Sequence, residues 1–279
     1  MDLVIQAPAN GTADVAAIAS LTGAQGIHAL DSGSLRAFRL ARVEPHAGVA
    51  ELCAAAGIDH AFVPSGLTRD RVRVVAMDMD STLITIECID EIADRVGIKR
   101  DVAAITASAM RGDIDFAESL VRRVALLSGL PVGELEHVYA ERLALSPGAE
   151  RMLAGFKAAG AKTLLVSGGF TFFTDRLQAR LDFDATAANV LEIAGGHLTG
   201  RVVPPIFDAQ AKAARVAAMR ERHAAAGGIT IAIGDGANDV PMLKMADVSI
   251  AYHAKPVVRA QATYAIDHCG LDAVLNLFA

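Results

Sequence analysis

Tryptophan is absent, tyrosine is scarce, and the cysteines number only three, Cys53, Cys88 and Cys269. Odd in number and far apart, they argue against a disulfide framework and against a thiolate metal centre, and they fit a reducing cytosol. Long apolar runs are missing too. No window approaches the ~18 consecutive apolar residues that span a bilayer, and the opening MDLVIQAPANG has neither the basic start nor the apolar length of a signal peptide. Positive charge is in deficit, with 26 Lys and Arg against 32 Asp and Glu for a net −6. No basic cluster interleaves with aromatics, so nucleic acid is a poor partner. The expectation is a cytoplasmic protein acting on neither membrane nor nucleic acid. What is plentiful is aliphatic: 53% of the residues are hydrophobic, with much Ala and Gly. That suits helices packed on a parallel sheet, in a chain long enough for two domains.

The stretch Val72 to Thr82, VRVVAMDMDST, reads as a buried strand that ends in two carboxylates one residue apart, followed by two hydroxyls. In a doubly wound sheet, ligands bind beyond the carboxyl ends of the strands, so Asp78 and Asp80 would face a crevice. Asp80 and Ser81 are also good helix N-caps, and for Asp80 alone that reading stays open. Two further apolar strands end the same way, Lys162–Val166 in Ser167-Gly168-Gly169 and Ile229–Ile233 in Gly234-Asp235-Gly236-Ala237-Asn238-Asp239. In a parallel sheet these three ends lie side by side.

Before that core, residues 1 to 66 read as a small α+β unit of βαββαβ order. Its strands are expected at Leu3–Gln6, Gly26–Leu30, Leu35–Val43 and His60–Val63, and its helices at Thr12–Leu21 and His46–Ala56. The order resembles an ACT-like or ferredoxin-like module, suited to dimerisation or packing, which leaves room for a homodimer. Residues 71–279 form the second domain. Within it, helical spacing at Ile84–Val96, Arg100–Met110, Asp115–Ser128 and Val132–Leu143, without a strand between, reads as a helical cap inserted at about 87–146. Alternation then resumes, with a hairpin around Gly195-Gly196, a helix at Ala209–Ala225 carrying Lys212, and a closing helix at Leu271–Leu277.

Four elements in this order, DMDST, SGG, Lys212 and GDGAND, resemble the haloacid dehalogenase superfamily of phosphotransferases over about residues 72–279. The resemblance implies a doubly wound Rossmann-like parallel sheet with an inserted cap, and phosphoryl transfer through Asp78 as nucleophile. It implies Asp80 as general acid and base, Ser167 and the Gly168 amide as donors to phosphoryl oxygens, and Lys212 as the fixed positive charge. Mg²⁺ would be held by Asp78, Asp235 and the backbone carbonyl of Asp80, while Asp239 and Asn238 steady Lys212, the metal-bound water or the phosphate. The residue types suit this chemistry. A carboxylate nucleophile splits one hard hydrolysis into two steps, and oxygen ligands without His or Cys suit a hard cation.

The cap bears on the substrate. Glu87 opens its first helix, and Phe116 and Arg123 sit seven apart, two helical turns. A glutamate and an arginine facing one pocket can hold an ammonium and a carboxylate, which an α-amino acid combines. Within the superfamily, DMDST followed by Glu, then F-x3-L-x2-RV-x-LL, SGGF and GDGANDVPML resembles the phosphoserine phosphatases, which catalyse the last step of serine biosynthesis. By position, Glu87 would bind the amino group and Arg123 the carboxylate, with Phe116 and Met110 as pocket walls. Two rivals stand beside it. One is a phosphotransferase passing the group from phosphoserine to an alcohol such as homoserine, the other a non-catalytic amino-acid-sensing protein. Glu87 as a first-turn acid and Arg123 as a solvated helix arginine are the structural alternatives.

Overall fold

A computed structural model describes residues 1–9, 11, 14–225 and 227–279. The N-terminal elements are β1 (Asp2–Pro8), α1 (Val15–Thr22), β2 (Gly26–Ala29), β3 (Leu35–Ala41), α2 (Gly48–Ala56) and β4 (Asp59–Val63). They form an antiparallel sheet of order β2-β3-β1-β4. The βαββαβ order matches expectation, although Thr12, where the first helix was expected to begin, lies outside the described residues. β1 is buried along both faces. Leu3, Ile5 and Ala7 pack with Ile18, Leu40, Val49 and Cys53 beneath the two helices, and Val4 joins the main core with Ala61 and Val63. Alternation along a strand thus joins the small sheet to the rest of the chain. Polar groups secure the junction. Asp59 accepts the amides of Asp267, His268 and Cys269, and Asn276 donates to Gln6 at 2.9 Å.

The larger unit runs β5 (Val72–Met77), α3 (Cys88–Arg95), α4 (Lys99–Met110), α5 (Phe116–Ala125), α6 (Gly133–Glu141), α7 (Ala149–Ala158), β6 (Lys162–Phe170), α8 (Thr171–Leu181), β7 (Ala185–Ala194), β8 (His197–Val203), α9 (Ala209–His223), β9 (Ile229–Gly234), α10 (Val240–Leu243), β10 (Val248–Tyr252), α11 (Pro256–Arg259) and β11 (Tyr264–Ile266). Its seven-stranded sheet has the order β11-β10-β9-β5-β6-β7-β8 and is parallel except for edge strand β8. β5 is the middle strand, and Val74, Val75, Ala76 and Met77 are wholly buried, which accounts for its unbroken apolar run. The chain leaves β5 towards β6 on one side and returns to β9 on the other. The strand order therefore reverses at β5, the place where such sheets open a crevice at their carboxyl ends.

Helices α3–α6 follow β5 with no strand among them. Their ends are tied together: Ile84 bridges Leu145, Thr85 donates to the Ala144 carbonyl, and Ser146 donates to the Leu83 carbonyl. This two-stranded neck corrects the expected helix from Ile84. Residues 84–87 are not helical, and α3 begins at Cys88. The β-branched run Ile84-Thr85-Ile86 favours extended pairing over helix. The closing segment Leu271–Leu277 is a 3₁₀ helix whose residues are all buried, so packing rather than an amphipathic period sets its form. Among the described residues, no helix is long and apolar enough to cross a membrane.

Candidate active site

Three strand ends make a floor. At the end of β5, Asp78 is 5% exposed. Its Oδ1 accepts the Met79 amide at 2.7 Å and the Lys212 ammonium at 2.8 Å, whereas Oδ2 has no donor among the described residues. The chain then turns sharply through Asp80 and Ser81. Ser81 has φ 54°, a left-handed conformation that costs a non-glycine residue energy and marks a constrained turn. The turn returns the backbone so that Ser81 Oγ donates to Glu87 at 2.7 Å. Asp80 Oδ1 accepts the Cys88 amide at 2.9 Å. Glu87, in the cap position of α3, makes no side-chain cap bond, so Asp80 caps that helix from eight residues away. The capping reading of Asp80 and its place in the crevice are therefore both true.

At the end of β6, Ser167 is fully buried, donates to Asp80 Oδ2 at 3.2 Å and accepts the Gly169 amide at 2.8 Å. A Cβ on Gly169 would sit 2.8 Å from Asp80 Oδ2, so only glycine allows this approach. At the end of β9, Asp239 Oδ2 accepts the amides of Asp235 and Gly236, closing the GDGAND turn on itself. Its Oδ1 accepts from Lys212 at 2.9 Å. Asp235 Oδ1 takes the Thr82 hydroxyl at 2.8 Å. Lys212 reaches this floor because Asp208 caps α9 through the Gln210 and Ala211 amides, one turn before the lysine.

Above the floor, a cavity of about 110 Å³ is lined by Asp78, Asp80, Asp235, Asn238, Gly168 and Gly169, with Glu87, Ile89, Phe116, Leu120, Arg123 and Phe170 completing it. Glu87 and Arg123 thus face the same small space as the two strand-end aspartates. α5 places Phe116 and Arg123 on one face, and Arg123 Nε is held by the Ser119 carbonyl at 3.3 Å.

The electrostatics are unbalanced. Four carboxylates, Asp78, Asp80, Asp235 and Asp239, surround one ammonium, Lys212. Burial, and then the Asp239 charge, hold Asp78 well above the usual carboxylate range despite Lys212. Burial also raises Asp80. Burial and repulsion from Asp239 outweigh the Thr82 hydrogen bond and push Asp235 up to about 6. Glu87 opens to water at the cavity mouth but is enclosed elsewhere; that enclosure, followed by the Asp80 charge, pushes it up to about 7. Lys212 runs the opposite way, since Asp239 and Asp78 raise it by more than burial lowers it. Burial lowers Arg123. Oxygens of Asp78, Asp235 and Asp239 all lie within 4.8 Å of one another. This crowded set of carboxylates, with Asp78 and Asp235 held above their ordinary range and no nitrogen or sulfur among the oxygens, fits a hard divalent cation.

Of the residues expected from sequence, Asp78, Asp80, Glu87, Phe116, Arg123, Gly168, Asp235 and Asn238 line the cavity. Ser167, Lys212 and Asp239 lie directly behind its lining. Met110 does not reach it: the residue ends α4, is 70% exposed, and belongs to a helix whose one buried residue is Val102. Sequence reasoning noted Ser81, Thr82 and Gly169 within their motifs without giving them a role in the site, and missed Ile89, Leu120 and Phe170. Ile89 lies two residues after Glu87, Leu120 three before Arg123, and Phe170 ends β6; in sequence all three look like ordinary core.

Comparison with known proteins meets this geometry. Residues 75–244 match the model of the haloacid dehalogenase-like hydrolases. The chain belongs to this family. A phosphoserine phosphatase of Albidiferax ferrireducens is 52% identical over 211 residues, covering 74% of this chain and 89% of the relative. A solved haloacid dehalogenase-family hydrolase from Salmonella enterica serovar Typhi superposes with a TM-score of 0.86 at 32% identity, over 99% of this chain and 98% of the other. A solved phospho-aspartyl intermediate analogue of phosphoserine phosphatase aligns at TM-score 0.68 and 34% identity, over 75% of this chain and 99% of its own.

Proposed function

We propose that the chain hydrolyses O-phosphoserine to serine and phosphate in the cytoplasm. One observation carries this reading: an aspartate with an unengaged oxygen shares a cavity of about 110 Å³ with a glutamate and an arginine on the opposite wall. Asp78 Oδ2 attacks phosphorus, and the bond to the serine oxygen breaks as the aspartyl phosphate forms. Asp80, kept protonated more readily by burial, gives its proton to the departing serine oxygen. It then takes a proton from the water that releases phosphate, a role generally worth ~10²–10⁴-fold. Ser167 and the Gly168 amide receive phosphoryl oxygens, and Lys212 holds Asp78 and offsets the equatorial charge.

Mg²⁺ is the cation we assign to Asp78, Asp235 and the Asp80 carbonyl, with Asp239 holding Lys212 and the turn that presents Asp235. When bound, it supplies the charge that lets a phosphate dianion approach the carboxylates. Glu87 takes the substrate ammonium and Arg123 its carboxylate, while Ile89, Phe116, Leu120 and Phe170 exclude water around the short carbon chain. In this reading residues 71–279 are the catalytic domain with its cap, and residues 1–66 an attached α+β domain.

Phosphate release with Mg²⁺ tests the proposal. Phosphoserine should be hydrolysed far faster than p-nitrophenyl phosphate, with added homoserine leaving the phosphate yield unchanged. Equal rates on the two esters would refute the amino-acid assignment.

A further inference from the structure

Asn189 is 1% exposed, lies outside the cavity lining, and makes three hydrogen bonds that no catalytic step requires. Its Nδ2 donates to the Gly168 carbonyl at 2.9 Å and to the Phe207 carbonyl at 3.1 Å. Its Oδ1 accepts the Phe207 amide at 2.7 Å. Two carbonyls against nitrogen and one amide against oxygen leave a single sensible orientation of this side chain.

The strand register explains why a clamp is needed here. Val166 pairs with Ala187 and Phe170 with Asn189, so Ser167, Gly168 and Gly169 bulge opposite Ala188 alone. A bulge releases its peptide groups from the ladder. The peptide joining two glycines has no side chain at either end to resist its rotation. In a planar trans peptide, C=O and N–H point in opposite directions. Holding the Gly168 carbonyl therefore aims the Gly169 amide at Ser167 Oγ, which in turn donates to Asp80. The same side chain grips Phe207, immediately before Asp208, whose side chain caps α9 and whose carbonyl accepts the Lys212 amide at 2.9 Å.

We infer that Asn189 is a positioning residue for phosphoryl transfer, setting the peptide plane of the Ser167-Gly168-Gly169 cradle and registering it against the helix that carries Lys212. Both groups serve the phosphate and neither serves the amino acid. The inference rests on the phosphatase reading of the site but not on phosphoserine as substrate.

The test compares Asn189→Ala and Asn189→Ser with wild type, with Mg²⁺ present, on phosphoserine and on p-nitrophenyl phosphate, with inorganic phosphate as competitive inhibitor. The inhibition constant for phosphate should rise about tenfold or more, as expected for one or two lost buried hydrogen bonds. kcat/KM should fall for both esters, their ratio staying within about twofold. A merely structural residue would lower the fraction of active protein and leave the inhibition constant unchanged; that result overturns the inference, as does a loss confined to phosphoserine. Failure of both variants to fold also overturns it, since Asn189 would then belong to the fold and not to the cradle. A wild-type chain that cleaves p-nitrophenyl phosphate but ignores phosphoserine would sink the substrate assignment and leave this test intact.

Discussion

On the floor of the cavity, Asp78, Ser167, Lys212 and Asp239 are each at most 5% exposed, and each is fixed by two or more hydrogen bonds. On the wall, among the described residues, Glu87 is held by Ser81 alone, Arg123 by one carbonyl, and Phe116 by packing. Charge that must meet a phosphate is set in place before the substrate arrives, as electrostatic preorganisation requires. Groups to which the proposed function gives the choice of substrate stand at the start of α3 and on α5, beyond the neck that ties the helical segment back to the sheet. Variants of the floor should therefore remove the reaction from every ester, whereas variants of the wall should change only which ester is preferred.

The largest expected effect is at the middle strand. Asp78→Asn should lower phosphate release by roughly 10⁴-fold or more on any phosphomonoester, the scale on which loss of a nucleophile acts. A circular dichroism spectrum like wild type would show that the fold survives. Asp235→Asn comes next, with a loss of roughly 10²–10³-fold, because the cation contributes several kcal/mol.

That variant should also expose the strain of the crowded carboxylates. Asp235 and Glu87 are raised in the fold to about 6 and about 7. Between their ordinary range and those values the folded chain binds more protons than the unfolded chain, so stability falls as pH rises through that window. In chelator, the wild-type Tm should drop between about pH 5 and 7.5. Asp235→Asn should drop less, and an equal slope would refute the repulsion account.

A smaller effect should separate wall from floor by pH. Glu87 loses its charge as pH falls through about 7. The ratio of kcat/KM for phosphoserine to that for p-nitrophenyl phosphate should then decline, and the decline should vanish in Glu87→Gln. The smallest effect is expected at Met110. Exposed at the last position of α4, it should tolerate Ala within about twofold on either ester, the usual scale of a surface substitution.

The same contrast governs what could be read from sequence. The floor was legible because its chemistry follows apolar strands in short runs: DMDST, SGG and GDGAND announce themselves at strand ends, and strand ends converge in a parallel sheet. Its clamps were not. Asp80 was open to a capping reading, but Ser81 in a left-handed turn, Thr82 on Asp235 and Asn189 on Gly168 join residues far apart in the chain or depend on a backbone angle, and periodicity carries neither. On the wall, spacing placed Phe116 and Arg123 on one face but could not tell that α4 adds no residue to the lining, so Met110 was expected in a lining it does not reach. The neck was taken for helix because apolar residues three and four apart satisfy a helical period even where β-branched neighbours pair as strands.

The division between reaction and selection is tested most directly by the double variant Glu87→Gln/Arg123→Ala assayed on both esters. With two charged contacts removed, kcat/KM for phosphoserine should fall by roughly 10²-fold or more while that for p-nitrophenyl phosphate stays within about threefold of wild type. An equal loss on both esters would place Glu87 and Arg123 in the reaction itself and contradict the account.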